Sequence, residues 1–284
     1  MKFYKIIENN LKKDLKKIIF IDYKKKWTCG EVIEYTDKFA KIIRPNINKK
    51  QISVPILLSR RVELLIAFLA CLKLNISFTP VLKLSESEVF IIAKKINSNF
   101  YFDPIKKEVI VNNKKKINYK KTQKIKNKVY ILFTSGSTGK PKGVICDKQN
   151  IINTLLWSKN YLNWKKNDVI GNITKFNFDI SLFDFFTSIY FSVPIYILKN
   201  INNINSIFKD INKNKITSFF STPSFFSQFV YGNSVQKTKK TSLKQIISGG
   251  DFFPNSHLKL WIKNNEKIKI FNVWGPTETS IVNS

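Results

Sequence analysis

Apolar residues along the chain fall into two kinds of spacing. After Trp27-Thr28-Cys29-Gly30-Glu31, the residues Val32, Ile33, Tyr35, Phe39 and Ile42 recur at helical intervals. Side chains three and four apart share one helix face, so this pattern predicts an amphipathic helix with that stripe turned inward. Thr28 followed three residues later by Glu31 has the order of a capping box, which satisfies free N–H groups of a first turn. Ile52 to Leu58 reads as a strand, and Val62 to Leu74 as a helix apolar on most sides and hence buried. Val129-Tyr130-Ile131-Leu132-Phe133 is a continuous apolar run of strand length, as expected for a strand covered on both faces. Shorter runs recur at Ile195 to Leu198, Thr217 to Phe220, Gln245 to Ile247 and Ile268 to Val273. Helical patterns lie between them, as at Asn150 to Leu162 and His257 to Asn264. The alternation predicts an α/β fold of stacked, mostly parallel sheets flanked by helices, with no internal repeat. Lys106 to Lys128 is rich in Lys and Asn and reads as a loop. It places a subdomain boundary between residues 1–128 and 129–284.

Composition narrows the function classes. With 284 residues, 43% hydrophobic and 14% aromatic, the chain can bury a sizeable core. Cys29, Cys71 and Cys146 stand apart with no CxxC, and His257 is the only histidine, which excludes a disulfide scaffold and Cys- or His-rich metal sites. The net charge of +30 is carried by Lys, with only Arg44, Arg60 and Arg61 among the 49 basic residues. Nucleic-acid readers also use the planar Arg fork. Lys, Ile and Asn, all encodable by A and T alone, dominate this chain, so the charge reads as compositional drift on solvated faces, with no nucleic-acid partner expected. The longest apolar stretch, Ile180 to Leu198, is interrupted by Asp184 and Pro194 and fits a buried helix followed by a buried strand better than a membrane span. The start shows no signal-peptide pattern, and a cytoplasmic protein off the membrane is expected.

The chemistry concentrates in Thr134-Ser135-Gly136-Ser137-Thr138-Gly139-Lys140-Pro141-Lys142-Gly143, directly after the apolar run from Val129. Glycines let backbone N–H groups approach an anion, hydroxyls add donors, and Lys adds point charge. The segment reads as a polyphosphate-gripping loop at the carboxyl end of a strand. It is not a Walker A loop, which runs into a helix, because Pro141 follows Lys140 and blocks helix continuation.

The run from Tyr130 to Val144 resembles the signature loop of the adenylate-forming (AMP-binding) superfamily, most closely the amino-acid adenylation domains of nonribosomal peptide synthetases. Further resemblances follow in the family's order: Trp27 to Glu31, Cys71 to Asn75 with Pro80, Ser248-Gly249-Gly250-Asp251, and Asn272-Val273-Trp274-Gly275-Pro276-Thr277-Glu278-Thr279. The resemblance implies ATP-dependent activation of a carboxylic acid to an acyl-adenylate with release of pyrophosphate, for transfer to a thiol. Thr134 to Gly143 would hold the β- and γ-phosphates. Glu278 would bind Mg²⁺, and Thr277 would bond a phosphate oxygen. Trp274 stands where the family has Tyr and would stack on adenine, with Gly249 and Gly250 passing beneath the purine and Asp251, Asn272 and Gly275 beside it.

The substrate class rests on Phe178-Asp179-Ile180-Ser181, which resembles the segment whose Asp pairs with an amino acid's α-ammonium. A buried Asp is costly unless paired, and Asp179 stands among apolar residues in sequence. It is also a candidate N-cap. By the same resemblance Ile180, Phe183, Ile247, Gly249, Val273, Ile281 and Val282 would line a side-chain pocket for a neutral, aliphatic or small substrate.

The chain departs from the family in three ways. Lys148 replaces a His a few residues after the loop. The sequence ends at Ser284, six residues past Glu278. The family's later T-G-D segment, hinge and small C-terminal domain with its catalytic Lys are not in it. Two readings follow: part of an amino-acid-adenylating enzyme, with a carrier protein as acceptor and a separate chain supplying the C-terminal domain, or a non-catalytic remnant that at most binds nucleotide. An acyl-CoA synthetase-type fragment is a third. A hydrolase built on His257 has no nucleophile elbow to support it.

Overall fold

The computed structural model describes residues 3–83, 85–112, 127–135, 141–275 and 277. In chain order its elements are α1 (Phe3–Lys12), β1 (Ile18–Ile21), β2 (Lys26–Thr28), α2 (Cys29–Ile43), β3 (Ser53–Leu57), α3 (Val62–Lys73), β4 (Ser77–Val81), α4 (Glu86–Lys95), β5 (Phe100–Asp103), β6 (Glu108–Val111), β7 (Lys128–Ser135) and β8 (Pro141–Asp147). They continue as α5 (Lys148–Leu162), β9 (Ile170–Asn172), α6 (Asp179–Phe191), β10 (Ile195–Ile197), α7 (Ile204–Asn214), β11 (Ser218–Ser221), α8 (Pro223–Tyr231), β12 (Gln245–Gly249), α9 (Asn255–Asn264) and β13 (Lys269–Val273). The chain forms two compact units, residues 1–17 with 27–152 and residues 18–26 with 153–284. The compositional boundary at 128/129 falls inside the first of them, because β7 pairs with β4 and β8.

In the first unit the sheet order is β6-β5-β3-β4-β7-β8. β3 pairs parallel with β4 and β5, and β4 with β7, whereas β5–β6 and β7–β8 are antiparallel hairpin-type pairs. The sheet is therefore mixed. Strand β6 also falls inside the stretch expected to be loop; residues 113–126 of that stretch lie outside the described residues. Helix α3 is buried along Val62 to Leu72, as its all-round apolar sequence requires. Helix α2 starts from the capping box expected at Thr28: Glu31 N–H donates to Thr28 Oγ1 at 3.2 Å, and Thr28 N–H to Glu31 Oε2 at 2.8 Å. Its buried stripe is Cys29, Val32, Thr36, Phe39, Ala40 and Ile43. The predicted stripe is thus rotated, with Ile33, Tyr35 and Ile42 only half-buried. The physical reason is that small Ala40 and Thr36 fit under tight packing, while Tyr35 lies edge-on against Trp27 at 4.9 Å between centroids.

The second unit carries a parallel sheet ordered β13-β12-β11-β9-β10-β1. β11 and β12 are buried at every position, and apart from Gln245 at the start of β12 their residues are apolar or small. The register aligns Phe219, Ile246 and Ile270 in one row and Phe220, Ile247 and Phe271 in the next. Successive residues point to opposite faces, so the two rows serve two different layers. The first row joins a large core with Phe225, Phe226, Phe229 and Trp261 of α8 and α9. The second faces α6 and the C-terminal part of α5. The apolar stretch from Ile180 divides, as expected, into helix α6 and strand β10. Asp184 is buried at 1% exposure and accepts a hydrogen bond from Asn172 Nδ2 at 3.0 Å. Among the described residues no helix is long and apolar enough to cross a membrane.

Candidate functional site

In the first unit, β7 and β8 form the two arms of a hairpin, with Phe133 opposite Gly143, Thr134 opposite Lys142 and Ser135 opposite Pro141. Of the hydroxyl- and glycine-rich segment, Gly136, Ser137, Thr138, Gly139 and Lys140 lie outside the described residues. Pro141 opens a strand rather than a helix, and the next helix begins only at Lys148. A Cβ on Gly143 would meet Ile131 Cγ2 and Phe133 Cζ at 3.2 Å, so this glycine lets the arms close on each other's side chains. Lys142 is exposed and Thr134 half-buried. Sequence reasoning missed Lys95 at the end of α4. Its Nζ donates to the Pro141 carbonyl at 2.6 Å and lies 5.9 Å from the Phe133 ring centre, tying the helix to both arms. No local pattern announces that contact, which spans 46 residues.

In the second unit the predicted side-chain residues converge. Ile180, Phe183 and Ile247 are buried in one apolar cluster with Leu162 and Phe220, and Val273, Phe271, Trp157 and Trp164 pack against it. The first turn of α6 supplies Asp179, Ile180 and Phe183 on neighbouring positions, and β12 and β13 supply the rest. Phe183 meets Phe220 edge-on at 5.2 Å and Trp157 at 6.5 Å. Gly249 is paired with Val273, and a Cβ there would stand 2.9 Å from Val273 Cγ2, 3.1 Å from the Val273 carbonyl oxygen and 3.2 Å from Phe220 Cε2. Phe220, Trp157 and Leu162 were not legible as site residues, because their place here depends on strand register and helix packing. Ile281 and Val282 lie outside the described residues.

Asp179 is not the N-cap. Phe178 holds that position, and Asp179 is the first residue of α6, where a carboxylate favours the positive end of the helix dipole. The half-buried Asp179 accepts the Ile180 N–H at 2.8 Å through Oδ1.

Where β12 and β13 end, an open cleft of about 640 Å³ is lined by Gly250, Asp251, Phe252, Asn272, Val273, Trp274 and Gly275. The predicted purine-contacting residues thus gather at one place, directly beyond the buried Gly249. Gly250 has φ +89°, a conformation that side-chain-bearing residues rarely adopt, and it turns the chain out of β12. Trp274 is 68% exposed, leaving its ring face open. Phe252 was missed by sequence reasoning. Thr277 is half-buried just after the cleft, and Glu278 lies outside the described residues. Among the described residues no group of three His, Cys, Asp or Glu side chains gathers to hold a metal.

His257, expected at the surface, is half-buried instead. Its Nδ1 lies 2.7 Å from Ser227 Oγ and its ring 5.0 Å from that of Tyr231, so it ties α9 to α8.

The chain matches the family model described as AMP-binding enzyme over residues 7–284. It is 26% identical over 263 residues to bacitracin synthase 3 of Bacillus licheniformis, covering 87% of this chain and 4% of that protein. It is 26% identical over 239 residues to a D-alanine–D-alanyl carrier protein ligase of Bacillus cytotoxicus, covering 77% of this chain and 47% of the ligase. The fold is that of the N-terminal subdomain of NpsA from Klebsiella oxytoca, solved in complex with 3-hydroxyanthranilyl-AMSN. The TM-score is 0.82 at 21% identity, over 100% of this chain and 74% of that one.

Proposed function

The chain belongs to the family of AMP-binding enzymes, and from that premise we propose that it holds ATP and an amino acid for formation of an aminoacyl-adenylate destined for a carrier-protein thiol. The observation that carries the reading is the meeting, at the ends of β12 and β13, of a closed apolar cluster and an open cleft with an exposed indole. A purine stacked on Trp274 would sit in the cleft beside Asn272 and Gly275. The acyl side chain would lie against Ile180, Phe183, Ile247 and Val273, with the Asp179 carboxylate receiving the α-ammonium. Ion pairing of that kind rewards a partly desolvated carboxylate at a helix start. The segment from Thr134 to Gly143 would grip the β- and γ-phosphates through backbone N–H groups, hydroxyls and Lys140 and Lys142. Charge fixed around the triphosphate stabilises departing pyrophosphate, and positioning contributes most of the rest. Mg²⁺ suits a single carboxylate plus phosphate oxygens, so Glu278 would hold the ion, whose positive charge would offset that of the phosphates.

The packing supports a small neutral side chain. The space in front of Gly249 is already taken by Val273 and Phe220 to the point where one added methyl meets both. Large substrates would need those side chains to move. The relatives named for amino-acid and carrier-protein chemistry are consistent with this class. The chain spans only 4% and 47% of the two curated relatives above, so the acceptor and the complete reaction belong to the proposal.

Calorimetry tests it. The full chain with Mg²⁺ should bind ATP saturably, and glycyl- or alanyl-sulfamoyladenosine more tightly than the leucyl and phenylalanyl analogues. Asp179→Asn should remove the advantage of aminoacyl analogues over AMP while leaving AMP affinity intact. A folded chain that binds no adenine nucleotide would overturn the reading.

A further inference from the structure

Phe252 stands at the cleft beside Asp251 and Trp274. It is 72% exposed, although the residue after it, Phe253, is 2% exposed and stacks on Phe226 at 6.2 Å and 22°. The loop is therefore anchored by one phenylalanine and presents the other. Two constraints hold the presentation. Gly250 reverses the chain with its positive φ, and Asp251 Oδ1 accepts the Phe252 N–H at 2.7 Å. The ring faces the same cleft as Trp274, which is 68% exposed. Among the described residues neither ring stacks on another aromatic. A fixed apolar ring kept in water costs free energy that a planar ligand would recover.

We infer that Phe252 is a second stacking wall of the base site, beside Trp274, and that this chain grips a purine ring with two aromatic side chains. The inference rests on the nucleotide reading above and adds a residue to it. Stacking is blind to hydrogen-bond pattern but sensitive to ring area, so purine nucleotides should bind better than pyrimidine ones.

The test uses the full chain, with ATP, CTP and inorganic triphosphate as probes in calorimetry, and circular dichroism to verify folding. Phe252→Ala should weaken ATP about tenfold, in the range base–aromatic stacking gives, and leave triphosphate unchanged. Phe252→Trp should retain or tighten ATP, and the wild-type preference for ATP over CTP should shrink in Phe252→Ala. An exposed ring is removed, so folding should be unaffected. Wild-type ATP binding with an unaltered Phe252→Ala constant would overturn the inference while leaving the nucleotide reading intact. A Phe252→Ala chain that changes only in self-association, by sedimentation velocity, would overturn it too, assigning the ring to a protein contact. Failure of the wild-type chain to bind ATP would remove both.

Discussion

Gly249→Ala is the sharpest probe of how the site is packed. The added Cβ would stand 2.9 Å from Val273 Cγ2, 3.1 Å from the Val273 carbonyl oxygen and 3.2 Å from Phe220 Cε2. Carbon atoms pack best at about 3.5–4.0 Å, so a shift of roughly 0.6–1 Å is demanded. One obstacle is backbone, held in register by the β12–β13 ladder, and cannot move without disturbing it. Overpacking of this kind costs about 1–3 kcal/mol. Restricting the unfolded chain returns about 0.4–1 kcal/mol. The net loss is about 0–2.6 kcal/mol, or a fall in Tm of up to roughly 10 °C at 2–4 °C per kcal/mol for a chain of this size. The assay is thermal unfolding of five variants, three single and two double. Val273→Ala removes the nearest obstructing carbon, so Gly249→Ala with Val273→Ala should be less destabilised than the sum of the singles. Gly250→Ala is the contrast. Its nearest neighbour would be Thr222 Cγ2 at 4.0 Å, so its cost is backbone strain at φ +89° and should add to Val273→Ala without coupling. Equal coupling in both pairs, or a raised Tm for Gly249→Ala, would refute the packing argument.

Three further outcomes are expected. Cys29, Cys71 and Cys146 are buried and outside any disulfide, and burial pushes the Cys29 thiol up to about 11 and raises Cys71 as well; the folded chain at pH 8 should resist a disulfide reagent and yield all three thiols in denaturant, and rapid native reaction would contradict the burial. Burial raises the Asp210 carboxyl above its ordinary 3.8, against the lowering effect of the hydrogen bond that Tyr196 donates at 3.0 Å. The folded state then holds this proton more tightly than the unfolded state, so the penalty is absent below the unfolded value and complete above the raised one. Urea midpoints should therefore favour Asp210→Asn over wild type more at pH 7 than at pH 3, and a pH-independent difference would disprove the shift. Thr28→Ala removes one half of the α2 capping box and should cost about 1 kcal/mol by urea unfolding, with Thr28→Ser close to wild type.

Much of the fold could be read along the chain because its signals are local. The β7 run, the helix from Val62 and the Thr28 capping box each follow from residues within one element. The rotated stripe of α2 shows the limit: Thr36 and Ala40 are inside because of what packs on them, which no periodicity contains. The same holds for Asp179, whose capping chemistry was legible but whose one-residue offset from the cap depends on how α6 is entered.

For the candidate site, the sequence by itself supplied the chemical parts, namely the hydroxyl-rich loop segment, the Asp179 segment, the paired glycines and the Trp274 motif, since each is a short run whose composition matters wherever it lies. Only the tertiary structure decided which of them meet. Strand register set Ile247 between Phe220 and Phe271, and helix packing brought Trp157 and Leu162 to the same cluster. The turn at Gly250 sent Phe252 outward and Phe253 inward. Those are relations between segments tens of residues apart, fixed by the shared burial of two sheet faces, and one residue of slip would have exchanged every side chain between them.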